Sequence, residues 1–298
     1  MITGIKKVTA AVLAAVMLMC TISLTGCGGS DSSSAKEGQY NRIAATSVAT
    51  CEILDKLEVD GVVGVPHTDS YELPERYKGA TELGGAMSPD MEILASLEPD
   101  IVLTPNSLEG YLKEQYDNAG IESYFLDLKS VEGMYNSITE LGKMFDKEDK
   151  ADELVAEYEK IISGIKKKNE GKEAPDVLIL MGLPGSYVVA TESSYVGNLV
   201  KLAGGNNVYG DGDGQDFLNV NPEDMLVKDP DIILRTSHAM PEQVMEMFDR
   251  EFKDDDIWSH FRAVEENQVY DLDNEYFGMS ATFRYKEALE KLDPILFQ

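Results

Sequence analysis

The chain has 298 residues, 43% hydrophobic and 27% charged, a length that suits about two α/β domains with a sizeable core. Its 26 Lys and Arg face 54 Asp and Glu, a formal charge of −28, so phosphate-lined partners meet net repulsion and nucleic acid is excluded as a partner class. Three scattered cysteines and three histidines do not read as a disulfide framework, a zinc finger or an iron–sulfur cluster.

Lys6 and Lys7 precede an apolar run over residues 8–24, the pattern of a secretory signal. The run is short of the ~20 residues that a membrane span needs. It ends at Leu24-Thr25-Gly26-Cys27, which resembles a bacterial lipobox: residues 1–26 are expected to be cleaved, leaving Cys27 lipid-modified at the new N-terminus. Residues 27–40 are mostly small and polar, a flexible tether that holds a folded body off the membrane. Losing Lys6 and Lys7 takes the charge from −28 to −30. With Cys20 removed and Cys27 acylated, Cys51 is the one ordinary cysteine, and its amphipathic run CEILDKLEV marks it as a small buried hydrophobe.

Short β-rich runs at 42–45, 62–65, 101–103 and 123–126 then alternate with helical patterns, and a second set follows at 177–181, 187–190, 232–234 and 269–272. This alternation predicts two α/β lobes with central parallel sheets, over 41–146 and 173–298. Between them, Leu154, Val155, Tyr158, Ile161, Ile162 and Ile165 recur at helical spacing. One helix over 147–169, roughly 35 Å long, makes the segment 147–172 a rigid connector.

An internal repeat links the lobes. Glu92 and Glu223, 131 residues apart, each stand seven residues before a Pro-Asp pair and an aliphatic strand, at Pro99-Asp100 and Pro230-Asp231. Ser88-Pro89 and Asn221-Pro222 read as helix starts, with a cap followed by a proline that forfeits no needed hydrogen bond. The plainer account of both glutamates is favourable placement at a helix dipole; their matched positions point to function.

His238 lies just past the 232–234 strand, where open α/β sheets place their ligand crevice, and His67 stands similarly after 62–65. His260, near Trp258, is assigned to helix packing. Met87, in a Gly-Gly-Ala-Met loop, offers a thioether, as do the other twelve of 13 methionines, Met240 among them. Tyr187 and Tyr195 flank the 188–190 run and are candidates to line an apolar slot, with hydroxyls of Thr46, Ser47 and Thr50 near a helix N-terminus suited to carboxylates. No Gly-x-Ser-x-Gly elbow, His-Glu-x-x-His pair or phosphate-cradling glycine loop is present, so the reading is non-catalytic.

Lipobox, paired lobes, single long helix and repeated Glu-x6-Pro-Asp segments together resemble the class III substrate-binding proteins of iron-siderophore, haem and cobalamin importers, from residue 42 to the C-terminus. IWSHFRAVEENQVYDLDNEYFGM (257–279) resembles that family's C-lobe signature. The resemblance implies that Glu92 and Glu223 dock on arginines of an ABC permease served by its ATPase. LGGAMSPDMEIL around Met87, LPGSYVVATESSYVGNLVKLAGG (183–205) and ILRTSHAMPEQVMEMFDREF around His238 look most like the family's haem receptors. That likeness implies Met87 and His238 as the axial ligands of haem iron. It further implies a monomeric, lipid-anchored receptor outside a Gram-positive cell membrane, supplied by cell-surface haem donor proteins. A ferric-siderophore or corrinoid receptor on the same fold is the alternative.

Overall fold

The computed structural model describes residues 40–69 and 71–297. The expected signal 1–26, the acylated Cys27 and all but the last residue of the tether lie outside these residues. In the first half, β1 (Ile43–Ala45), α1 (Val48–Lys56), β2 (Val62–Val65), β3 (Thr81–Glu82), β4 (Gly84–Gly85), β5 (Ser88–Pro89), α2 (Met91–Ser96), β6 (Ile101–Pro105), α3 (Glu109–Ala119), β7 (Ser123–Leu126) and α4 (Val131–Met144) follow in turn. Five of the strands form a wholly parallel sheet in the order β3-β2-β1-β6-β7. Every residue of β1 and β6 is buried, as expected of parallel strands covered by helices on both faces.

Helix α5 (Glu148–Asn169), about 33 Å long at 1.5 Å per residue, leads into the second half. There follow β8 (Asp176–Leu183), β9 (Ser186–Ala190), α6 (Tyr195–Ala203), β10 (Asn206–Asn207), β11 (Phe217–Leu218), α7 (Pro222–Lys228), β12 (Ile232–Ser237), α8 (Pro241–Asp254), α9 (Arg262–Glu265), β13 (Val269–Asp271) and α10 (Tyr285–Leu296). The main path of the second sheet is β11-β9-β8-β12-β13. Its centre is parallel, while β9 runs antiparallel to both of its neighbours, β8 and β11. Only Pro184 and Gly185 separate β8 from β9, too few residues for a crossover, and Gly185 supplies the positive φ of +83° that the tight turn uses.

The repeat has the same structural job in both halves. Asp100 accepts the N–H groups of Asn41 and Arg42 at 2.7 and 2.8 Å, and its own N–H donates to the Arg42 carbonyl. Asp231 accepts from the Asp176 N–H at 2.7 Å and donates back to the Asp176 carbonyl. Each Pro-Asp therefore pins the start of the neighbouring strand. The expected cap at Asn221 forms, with its side chain accepting from Asp224 N–H and Pro222 opening α7. Ser88 is not a cap: Ser88 and Pro89 form β5 of a short hairpin, and Asp90 caps α2 by accepting from Glu92 and Ile93 N–H. With that correction, Glu92 and Glu223 occupy the same position, the second residue of their helices.

One apolar cluster runs through both halves, joining Leu128 and Ile138 of the first to Val177, Leu199 and Tyr285 of the second. Helix α5 packs on α4 and α6. Its Tyr158 stacks on Tyr135 with ring centroids 4.4 Å apart, and the Tyr135 and Tyr285 hydroxyls meet at 3.2 Å. Gly142 allows α4 and α5 to approach, since a Cβ there would stand 2.6 Å from the Ala151 Cβ. Among the described residues no helix is long and apolar enough to cross a membrane.

Candidate functional site

The carboxyl ends of strands from both sheets meet at one cavity, as the crevice rule for open α/β sheets requires. Ser47 follows β1, Asn106 follows β6, Lys129 follows β7 and His238 follows β12, and all four line a space of ≈ 480 Å³ with Met87, Tyr111, Tyr195 and Met279. A neighbouring space of ≈ 230 Å³ shares Ser47, Tyr195, His238 and Met279 and adds Tyr71, Tyr276 and Arg284. The two form one slot with His238 at their junction.

His238 is fixed through its backbone N–H, which donates to the Gly182 carbonyl at 2.9 Å. No hydrogen bond or ion pair among the described residues engages its ring nitrogens. The ring is open to the cleft, yet the surrounding protein withdraws enough water to lower its pKa below 6.5. A neutral imidazole with uncommitted nitrogens is the state that binds a metal.

Met87 stands on the opposite wall. Gly85 pairs with Ser88 across the hairpin of β4 and β5, so Ala86 and Met87 form its two-residue tip. The side chain lines the cavity and is 66% exposed. Met279 is a second thioether in the slot and carries no signal in the sequence; it belongs to the same half as His238 and is partly buried.

The other candidates divide. Ser47 caps α1, accepting from Thr50 N–H at 3.1 Å, and faces both spaces. Tyr195 is 2% exposed and faces both; its hydroxyl has Thr282 alongside but closes no hydrogen bond of normal geometry, and burial raises its pKa. Thr46 and Tyr187 are not among the lining residues, contrary to expectation. The Thr46 hydroxyl is buried 3.0 Å from that of Thr104, tying β1 to β6. Tyr187 shares a face of β9 with Val189 by strand periodicity, packs on Phe248 at 5.4 Å and donates to Glu251 at 3.0 Å, on the α8 side of the sheet. Thr50 is buried against the Ser47 hydroxyl.

His67 also lies outside the lining, with Nδ1 2.8 Å from Glu82 and Nε2 3.5 Å from Asp69; the hydrogen bond to Glu82 and the Asp69 charge raise its pKa. His260 is an exposed surface group beside Asp256, not a packing residue. Met240 is half exposed at the start of α8 and faces neither space. Cys51 is fully buried, and burial pushes its thiol up to about 12. Glu92 and Glu223 are both exposed in their first helical turns. Sequence reasoning passed over Asn106, Tyr111, Lys129 and Met279; Asn106 and Lys129, each shortly after a strand, carried a positional signal.

Two α/β halves spanned by one long helix, with a slot where their strand ends meet, define the class III substrate-binding protein fold. The chain belongs to the periplasmic binding protein family, which matches it over residues 43–276. It is 41% identical to the high-affinity haem uptake system protein IsdE of Staphylococcus aureus over 289 residues, 95% of this chain and 96% of that protein. The structure of S. aureus IsdE complexed with haem superposes with a TM-score of 0.81 at 42% identity, covering 88% of this chain and all of the other. An ABC transporter substrate-binding protein from Listeria monocytogenes matches with a TM-score of 0.81 and 45% identity, over 87% of this chain and 99% of that one.

Proposed function

We propose that this protein is a haem receptor of an ABC importer, holding haem iron between Met87 and His238 and handing the haem to a membrane permease. The observation that carries the reading is the donor pair: a thioether and an uncommitted imidazole on opposite walls of one slot. One nitrogen and one sulfur suit a metal whose remaining positions are filled by its own chelator, and Met/His ligation suits haem. Tyr111, Leu108, Phe217 and Met279 provide an apolar lining for a porphyrin, with the buried Tyr195 behind it, while Ser47 offers a hydroxyl toward its polar edge. Lys129 and Arg284 already face Asp216, Glu52 and Glu275, which speaks against an anionic siderophore as cargo. The equivalent placement of Glu92 and Glu223 supports a two-point contact with the permease. In this reading the N-terminal segment supplies secretion and a lipid anchor at Cys27, with the folded body as a monomer on the outer face of the membrane.

A haem titration followed by absorption tests the assignment. One haem per chain is expected. Met87→Ala and His238→Ala should each weaken binding by more than the roughly 10–100-fold lost when a ligand's supporting partner is disturbed. Wild-type affinity in both variants contradicts the axial assignment.

A further inference from the structure

We propose that the Lys129–Asp216 ion pair is a cross-cleft clasp that sets the methionine-bearing wall against the histidine-bearing wall. The inference rests on the haem reading and concerns how the two ligands are held at their working separation. Lys129 comes from the loop leaving β7 in the first half, and Asp216 immediately precedes β11 in the second. Their charged atoms stand 2.9 Å apart, and both residues line the larger space.

Both ends of the pair are tied to rigid backbone. The Lys129 N–H donates to Asp127 at 3.2 Å; the same carboxylate oxygen accepts from Asn106 at 3.1 Å, and the Asp127 N–H donates to Ser137 at 2.9 Å. On the other side, Thr191 N–H donates to the Asp216 carbonyl at 3.1 Å, and the Thr191 hydroxyl donates to the Gln215 carbonyl at 2.5 Å. The clasp therefore orders two side chains but little backbone, which limits its entropic cost.

It also extends an existing seam between the halves. Ala281 N–H donates to the Leu128 carbonyl at 2.8 Å, and Val131 N–H donates to the Asn198 side chain at 3.0 Å. Lys129 lies between these two points and carries the seam into the slot. The Lys129 side chain is 40% exposed and that of Asp216 22%, so the pair is partly shielded from solvent on the Asp216 side. A second ion pair crosses at the smaller space, Arg284–Glu52 at 3.1 Å, but Arg284 is shared with Glu275 at 3.6 Å. Lys129–Asp216 is one to one and can be exchanged cleanly.

The test compares Lys129→Asp, Asp216→Lys and the exchanged double variant, reading the haem spin state and the rate of haem loss to an excess of acceptor protein. Each single variant should shift part of the haem to high spin and speed its loss about fivefold, and the exchange should restore both. If a reversed variant does not fold, Lys129→Gln and Asp216→Asn carry the same expectation. Wild-type spectra and rates in the single variants overturn the clasp, as does a folded exchange variant with no recovery. In the ligand-free protein, amide exchange over 127–131 and 215–218 should rise in the single variants and fall back in the exchange. That readout does not depend on the ligand: failure of wild-type protein to bind haem with these exchange changes intact defeats the haem reading alone.

Discussion

Three histidines of one chain meet three environments, and the differences decide which can bind iron. His67 is held by Glu82 and Asp69, His260 stands exposed beside Asp256, and His238 faces the slot with both ring nitrogens uncommitted. An NMR titration should place His67 above 6.5 and His238 below it. The signs for stability are opposite. A raised pKa means that the His67 contribution is complete below 6.5 and is lost as pH rises through its folded value. A lowered pKa means that the His238 contribution is present above 6.5 and is lost as pH falls through its folded value. Equal midpoints for the two rings would contradict the environments described.

The elements were unequally legible. Parallel strands such as β6 and β12 announce themselves as aliphatic runs because both faces are buried. The hairpin bearing Met87 did not, because Ser88-Pro89 imitates a helix start and the pairing of Gly84 with Pro89 is a contact rather than a pattern. Tyr187 was misplaced for a related reason: a strand puts alternate residues on opposite faces, and which face looks to the slot depends on the fold. Ser47 was readable as a hydroxyl near a helix N-terminus, and in the fold it caps α1. The α4–α5 contact gives an element-level prediction. Gly→Ala inside a helix ordinarily stabilises by roughly 0.5–1 kcal/mol, but Gly142→Ala drives a methyl into Ala151 and should destabilise by about 1–3 kcal/mol. Calorimetry should show a lower Tm, and a higher one would contradict the close packing.

Across the whole molecule, the slot is framed by halves that share a core and a stiff helix rather than a pair of flexible strands. Opening it widely would expose part of the apolar cluster that joins Leu128 and Ile138 to Leu199 and Tyr285, and would break the seam at Leu128 and Val131. Small closure on ligand binding is the consequence. Small-angle scattering profiles with and without haem should nearly superpose; a large domain rotation would contradict this. The repeat was readable as a pattern, but the equal helical positions of Glu92 and Glu223 became visible only once Asp90 was placed as the cap.

The most direct test of the central claim is the visible absorption spectrum of the haem-loaded protein in its ferric and dithionite-reduced forms, beside Met87→Ala and His238→Ala. Methionine and histidine on opposite walls predict a six-coordinate low-spin haem in the wild type, with the low-spin bands lost in each variant. Low-spin bands that survive both substitutions, or a wild-type spectrum no different from free haem, would contradict it and direct attention to ferric siderophores and corrinoids.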